Sequence, residues 1–128
     1  LALDMDNDTF KCMLVTASYS PNLETHTNKT DVTNEVSGTG YTAGGETLTS
    51  VAMTSSSDGT GTIKWDAADV SWANSTLSAV RAGVIYDDTV TNDRLIAYID
   101  FGGDFSTTSG TFQIQWNASG IFTLDLVP

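Results

Sequence analysis

Residue types that carry out most enzyme chemistry are scarce in this chain. Its 128 residues include one histidine, His26, and one cysteine, Cys12. A serine–histidine–aspartate triad and a histidine-rich metal site are therefore disfavoured, and His26, in a polar stretch, is interpreted as solvated or as contacting a partner. One cysteine cannot form an internal disulfide, and the apolar residues around Cys12 predict a small buried side chain.

The carboxylates offer a second kind of chemistry. Asp4, Asp6 and Asp8 have the spacing of the first three side-chain ligands of a calcium-binding loop. Thr9 and Val15 stand where such a loop requires glycine and glutamate. We interpret the three acids as a lead-in to a strand, with a cation that bridges acidic loops at an assembly interface as the alternative. The other acids lie mainly in predicted turns, so the sequence predicts no enzyme activity and no cofactor.

The charge of the chain excludes several classes of partner. It has 5 Lys and Arg against 16 Asp and Glu, a formal net charge of −11. Binding to a phosphate backbone or to anionic lipid needs clustered cations, so neither nucleic acid nor a membrane is an expected partner. No apolar run has the length of a membrane span. Because the chain begins at Leu1 rather than Met, we expect that a few leading residues are missing or removed.

Short clusters of apolar and β-branched residues, separated by turn residues, predict strands along most of the chain. The predicted strands cover residues 9–17, 46–54, 60–66, 77–86, 94–101, 111–116 and 121–127. Residues 67–75, around Trp72, are predicted to be a loop or a short edge strand, and residues 102–104 are expected to end a strand. Residues 55–59 predict a hairpin turn, and residues 30–36 predict a turn of helix with Asp31 as its cap.

This pattern predicts one all-β domain over residues 1–128, a β-sandwich or jelly-roll-like barrel of about seven or eight short strands. Residues 1–8 form its acidic lead-in. Residues 18–45 form a polar loop near the N-terminus, and a loop of this length indicates a functional or partner-ordered segment. Period-two alternation predicts that Phe112, Ile114 and Trp116 point inward. It also predicts two further sets of residues that each share one face of a strand: Val80, Ala82, Val84 and Tyr86; and Phe122, Leu124 and Leu126.

Several aromatic residues are candidates for contact with a partner. Tyr19 and Tyr41 are natural interface anchors within the long loop, with local packing as the alternative. Trp65 is in phase with apolar core positions, whereas Trp72 lies among polar residues, where an exposed indole would stack on a sugar ring. The predicted partner-contact residues are Tyr19, Pro21, His26, Tyr41 and Trp72.

Several segments, taken in order, carry a resemblance to a known group of proteins. They are FKCMLVT at 10–16, SYSPN at 18–22 with His26 after it, DVTNEVSGTGYTAGG at 31–45, WDAADVSW at 65–72, VIY at 84–86, IDFG at 99–102 and IQWN at 114–117. With the acidic lead-in before them, these segments resemble small virion proteins encoded by tailed double-stranded DNA bacteriophages.

The resemblance implies a non-enzymatic capsid cement or decoration protein on the outer capsid surface, which binds and stabilises major capsid subunits as a homo-oligomer. Packaged DNA repels a chain of net charge −11, which fits an outer position. Assembly of such acidic copies is expected to tighten with salt or divalent cations. A phage tail, neck or fibre protein is one alternative. A carbohydrate-binding β-sandwich module, with Trp72 as the stacking platform, is an alternative of another class.

Overall fold

The computed structural model describes residues 2–55 and 61–126 and confirms an all-β fold. The strands are β1 (Phe10–Val15), β2 (Glu46–Thr47), β3 (Ala52–Ser55), β4 (Thr62–Asp66), β5 (Val70–Asp87), β6 (Leu95–Ile114) and β7 (Phe122–Asp125). One turn of 3-10 helix spans Lys29–Asp31. Within the described residues, no helical segment has the length and apolar character needed to cross a lipid bilayer.

The strands form two antiparallel sheets. One has the order β2-β1-β5-β6 and the other the order β3-β4-β7. As far as the described residues extend, neither sheet closes on itself, whereas a barrel requires every strand to be paired on both sides. Of the two predicted architectures, the structure therefore agrees with the β-sandwich and excludes the jelly-roll-like barrel.

The core between the sheets is aromatic and aliphatic. Phe10 of β1 meets Trp65 of β4 edge-on, with ring centroids 4.9 Å apart. Cys12 is buried in the same core, as the sequence predicted. Phe112 and Ile114 of β6 also face this core. The residues between and after them, Gln113 and Gln115, are exposed, which confirms the predicted alternation, and Trp116 is half-buried against the core.

The central strands are buried on both faces. The side chains on the outer face belong to β1 and β5 and form a second cluster: Met13, Val15, Ala82, Val84 and Tyr86. Tyr19 and Val32 of the long loop 18–45 pack against this cluster. The loop is also tied to β1 by an isolated bridge between Glu35 and Val15. The predicted burial of both faces of the first strand is confirmed, and the long loop covers the outer face of the sheet.

The helical turn differs in detail from the prediction. It is shorter, and its N-cap position is occupied by Asn28 rather than Asp31. Asp31 instead ends the turn, where its Oδ2 accepts the N–H groups of Thr27 at 2.8 Å and Asn28 at 2.9 Å. A carboxylate at the third helical position can accept the free N–H groups at the start of the turn, just as a carboxylate at the N-cap can. The prediction that Asp31 caps the turn was therefore right in residue type and wrong in position.

β5 and β6 are much longer than the sequence predicted. β5 begins at Val70, so most of the predicted loop or edge strand at 67–75 is the first third of this strand. β6 joins the predicted strands 94–101 and 111–116 and does not end at 102–104. Gly102 and Asn74 adopt positive φ angles of 77° and 51° where the pairing register shifts. Such bulges bend a strand without ending its pairing.

One predicted face is wrong, and a register shift lies where the prediction fails. Val80 belongs to the core between the sheets, whereas Ala82, Val84 and Tyr86 lie under the long loop. The pairing of β5 with β6 shifts between Val80 and Ala82. Across this shift the two steps from Val80 to Ala82 lie opposite five steps along β6, from Phe105 to Asp100. The regular alternation is interrupted at this irregular pairing, and the four residues do not share a face.

The predicted shared face of the last strand is confirmed, but much of that face is exposed. Phe122, Leu124 and Leu126 do alternate along β7, and the Phe122 ring lies 5.4 Å from that of Trp65. However, Leu124 is 56% exposed and Leu126 is 59% exposed, because the outer end of β7 lacks a covering layer among the described residues. Residues 56–60, which hold most of the predicted hairpin turn, lie outside the described residues.

Candidate functional site

The structure separates the five predicted partner-contact residues into two groups. Tyr19, Pro21 and His26 line a pocket of about 160 Å³ over the outer face of the four-stranded sheet. The Tyr19 hydroxyl and the His26 Nδ1 are 2.9 Å apart, and their rings stack with centroids 5.7 Å apart. Beside them Leu23 is 92% exposed. These three residues therefore form one local cluster at the surface.

Tyr19 is nevertheless mainly a packing residue. It is 5% exposed and its ring lies 6.1 Å from that of Tyr98 on β6. Burial raises the pKa of Tyr19, and the nearby Asp31 carboxylate raises it further. The hydroxyl is thus neutral at physiological pH and suited to fixing the His26 ring rather than to proton transfer.

Tyr41 lies in a separate, inward-directed network. Its hydroxyl donates to Oε2 of Glu35 at 2.5 Å and accepts the N–H of Leu14 at 3.0 Å. Glu35 Oε2 also accepts the N–H of Gly44 at 2.7 Å. Burial and the hydrogen bond to Glu35 raise the pKa of Tyr41 far above its usual value. These contacts are local packing, which was the alternative considered for Tyr41.

Trp72 is a buried core residue, which corrects its prediction as a surface contact. It is 1% exposed and its ring stacks on Tyr41 and meets Phe112 edge-on, at centroid distances of 6.2 Å and 5.9 Å. The adjacent residues Ser71 and Ala73 are exposed on the opposite face of β5, as the alternation of a strand requires, and Asp69 precedes the strand. The indole therefore offers no open face on which a sugar ring could stack.

The acidic lead-in forms a hydrogen-bonded turn. Asp4 Oδ1 accepts the N–H groups of Asp6 at 3.1 Å and Asn7 at 3.0 Å. The Asn7 side-chain amide, followed by the Asp6 N–H, holds the pKa of Asp4 below its usual value. In the part of the chain that the structure describes, no three or more His, Cys, Asp or Glu residues are grouped so that they could hold a metal ion.

One carboxyl is fully buried. Asp87, at the end of β5, accepts the N–H of Thr89 on Oδ1 at 2.9 Å, and its Oδ2 has no hydrogen-bond partner among the described residues. Burial raises the pKa of Asp87, the Thr89 N–H acts in the opposite direction, and the neighbouring Asp8 raises the pKa further. This environment therefore favours the protonated carboxyl over the carboxylate.

An open groove that sequence reasoning missed lies between β6 and the segment that leads into β7. It encloses about 620 Å³. Its apolar lining consists of Ile99, Phe101, Phe105, Phe112, Ile114, Trp116 and Ile121. Its polar lining includes Thr107, Thr111, Gln113, Gln115 and Asn117. None of the described residues around this groove carries a formal charge.

A simple sequence signal marks this groove. Residues 105–124 contain no Asp, Glu, Lys or Arg, in a chain with 5 basic and 16 acidic residues. This neutral segment covers the second half of β6, the connection after it and the start of β7. β6 and β7 are each the last strand of their sheet, and residues 120–121 of this segment line the groove together with β6.

The chain is thus a two-sheet β protein with a covering loop on one side and a neutral, partly apolar edge on another. No family model, no curated protein and no solved structure matches it.

Proposed function

We propose that this chain is a non-enzymatic structural protein of a virion, which binds a major capsid subunit or another virion protein on the outer capsid surface. The observation that carries the proposal is the groove beside β6, which is open, about 620 Å³ in volume and free of charged residues. Soluble proteins rarely leave a large apolar opening uncovered unless something binds there.

The lining of the groove specifies the chemistry of its occupant. An aromatic and aliphatic floor, formed by residues such as Phe101, Phe112 and Ile114, stabilises apolar side chains through buried area. Gln113, Gln115 and Asn117 offer amide groups that can pair with the backbone of an extended segment. The expected occupant is therefore an uncharged, apolar segment of a neighbouring coat subunit.

The virion assignment depends on the resemblance of the segments quoted above, and the net charge supports its outer placement. At −11, the chain would be repelled by packaged DNA, and an outer position avoids this repulsion. The neutral groove allows contact with another protein without adding to this repulsion.

Virion composition tests the proposal first. Quantitative mass spectrometry of purified particles of the phage that encodes this chain is expected to give copies in proportion to the major capsid protein. A dozen or fewer copies per particle would contradict a capsid role and support a tail, neck or fibre protein. Absence from the particle would contradict any virion role.

A binding experiment then tests the groove itself. Particles that lack the chain are incubated with purified chain, and bound protein is quantified after sedimentation. Phe105→Asp places a charge in the groove and is expected to reduce binding at least about tenfold, since a buried unpaired charge is costly. Leu3→Asp, at an exposed position outside both the groove and the pocket of Tyr19, Pro21 and His26, is the matched control and should bind normally. Equal binding by both variants would exclude the groove as the contact.

A carbohydrate-binding module remains the second candidate, at a different residue. Trp72 is buried, but Trp116 lines the groove together with the amides of Gln113 and Gln115, and aromatic rings beside amides are suited to sugars. Quenching of indole fluorescence by a glycan panel, lost in Trp116→Ala, would favour this candidate over capsid binding.

A further inference from the structure

The strand β7 ends its sheet with an unpaired edge. Among the described residues it pairs with β4 alone. The N–H of Leu126 donates to the carbonyl of Gly61 at 2.8 Å, so Leu126 directs its backbone groups toward β4. In an antiparallel ladder this direction alternates, so Leu124 does the same and Thr123 and Asp125 direct their N–H and C=O groups outward.

The side chains of this edge have a self-complementary pattern. Phe122, Leu124 and Leu126 form an apolar row on one face, and Thr123 and Asp125 lie on the other. The order apolar–polar–apolar–polar–apolar is the same in both directions about Leu124. A second strand of identical sequence, running antiparallel, would therefore match apolar with apolar at every position.

We infer that two copies of this chain pair through β7 about a two-fold axis at Leu124. In this register Leu124 lies opposite its own counterpart, and Phe122 lies opposite Leu126 of the second copy. Thr123 lies opposite Asp125 of the second copy, and their outward backbone groups form the hydrogen bonds of the new ladder. The two three-stranded sheets become one sheet of six strands, with a symmetric interface that closes on itself.

The distribution of charge points to this edge and to a second copy as its occupant. Two chains of net charge −11 repel each other over most of their surfaces. The neutral segment 105–124 reaches β7, where Asp125 is the one charged residue of the strand. Asp125 already accepts a hydrogen bond from Thr62 Oγ1 at 2.8 Å and would face Thr123 rather than another acid. Edges that proteins keep unpaired usually carry inward-pointing charges or proline, and this apolar row has neither.

The inference is independent of the virion role, because it uses a different strand edge and requires no other protein. Cysteine cross-linking tests its register. Opposite residues at a position without direct hydrogen bonds have Cα atoms about 4.5 Å apart, within the range of a disulfide. Under mild copper–phenanthroline oxidation, Leu124→Cys is expected to form a covalent dimer.

Leu126→Cys is the matched control, since Leu126 lies on the same face with nearly the same exposure. In the proposed register its own counterpart is about 13 Å away, so it should not cross-link efficiently. The native Cys12 is buried and does not compete. Equal cross-linking of both variants, or none in Leu124→Cys, would overturn the register.

Light scattering and sedimentation of the unmodified chain test the dimer itself, with an expected mass of twice 13.6 kDa. Leu124→Lys places two ammonium groups opposite each other and should weaken association at least about tenfold. Leu23→Lys, at a position 92% exposed and outside β7, should not.

Thr123→Pro separates loss of pairing from loss of folding. It removes an outward N–H and leaves the bonds to β4 intact, because proline is tolerated on an edge strand when its nitrogen faces solvent. We expect a monomer with an unchanged circular dichroism spectrum. A chain that is monomeric at millimolar concentration would overturn the inference, as would a dimer that neither Leu124→Lys nor Thr123→Pro weakens.

Discussion

The hydroxyl of Tyr41 donates a 2.5 Å hydrogen bond to Oε2 of Glu35 and at the same time accepts the backbone N–H of Leu14. One side chain thus connects two points of the long loop with the middle of the central strand β1. The loop therefore covers the sheet through specific polar contacts as well as apolar packing.

Removal of the Tyr41 hydroxyl should weaken the packing of the long loop 18–45 against the sheet. Tyr41→Phe leaves the buried N–H of Leu14 without its acceptor, and an unsatisfied buried donor costs about 1–3 kcal/mol. Urea unfolding followed by tryptophan fluorescence is expected to show a loss of that size. Tyr98→Phe removes a half-buried hydroxyl that has no hydrogen bond among the described residues, and it should change stability little. A Tyr41→Phe variant as stable as the parent would show that the network is not needed to hold the loop.

The loop is held close to β1 at one glycine in particular. Gly45 has a φ of +82°, and a Cβ at this position would lie 1.9 Å from the carbonyl oxygen of Cys12. Gly45→Ala should therefore destabilise the fold by more than about 3 kcal/mol, through a backbone clash added to conformational strain.

Gly102 supplies the matched control for this prediction. Its φ of +77° is similar, but a Cβ there would meet nothing within 4 Å. Gly102→Ala should therefore cost about 1–2 kcal/mol, from strain alone. If thermal unfolding gives the same loss for both variants, the close approach of Gly45 to β1 contributes nothing measurable.

The buried carboxyl of Asp87 should make stability depend on pH. Burial raises the pKa of Asp87 and Asp8 raises it further, against the opposing effect of the Thr89 N–H, so the folded chain holds this proton more tightly than the unfolded chain. The stabilisation that protonated Asp87 contributes is fully present below the unfolded pKa of about 3.9. It is lost as the pH rises through the raised folded pKa. Above the raised folded pKa the group is ionised, buried and destabilising.

Asp87→Asn keeps an oxygen that can accept the Thr89 N–H and removes the charge. We expect this variant to be more stable than the parent at pH 7, with the difference shrinking toward pH 4, in urea unfolding at both values. Asp104→Asn, which alters an exposed ion pair with Arg81, should show little change at either pH. A variant less stable than the parent at pH 7 would contradict this account of Asp87.

Local alternation predicted those parts of the fold in which pairing is regular. Phe112, Gln113 and Ile114 lie on the faces that a period of two assigns to them, and β1 has both faces buried as its apolar run predicts. Alternation failed at Val80, because irregular pairing between Val80 and Ala82 interrupts the regular pattern. A single sequence gives no clear sign of such an irregularity. Alternation placed Phe122 and Leu124 correctly on one face of β7, but a pattern within one strand does not indicate whether an opposing layer extends far enough to cover that face.

The candidate site was harder to predict than the fold. Trp72 was assigned to the surface from its polar neighbours, although Trp72 is buried while the nearby Ser71 and Asn74 are exposed. The groove beside β6 is lined by residues that the sequence assigned to two separate strands. It could not be predicted without knowing that these two segments form one continuous strand. The absence of charge over residues 105–124 was the one available signal, and it marks the edge without giving its shape.

The thiol of Cys12 should be chemically inert while the chain is folded. Cys12 is fully buried in the core between the sheets, and burial raises its pKa to about 12. At pH 8 the reactive thiolate is then a minute fraction, and reagents cannot reach it without opening of the fold. Labelling with a disulfide reagent such as dithionitrobenzoate should therefore follow the rate of unfolding, with one thiol released per chain in denaturant. Gly45→Ala should label faster than Gly102→Ala, because it destabilises the loop that covers β1. Rapid stoichiometric labelling of the unmodified chain at neutral pH would contradict the burial of Cys12.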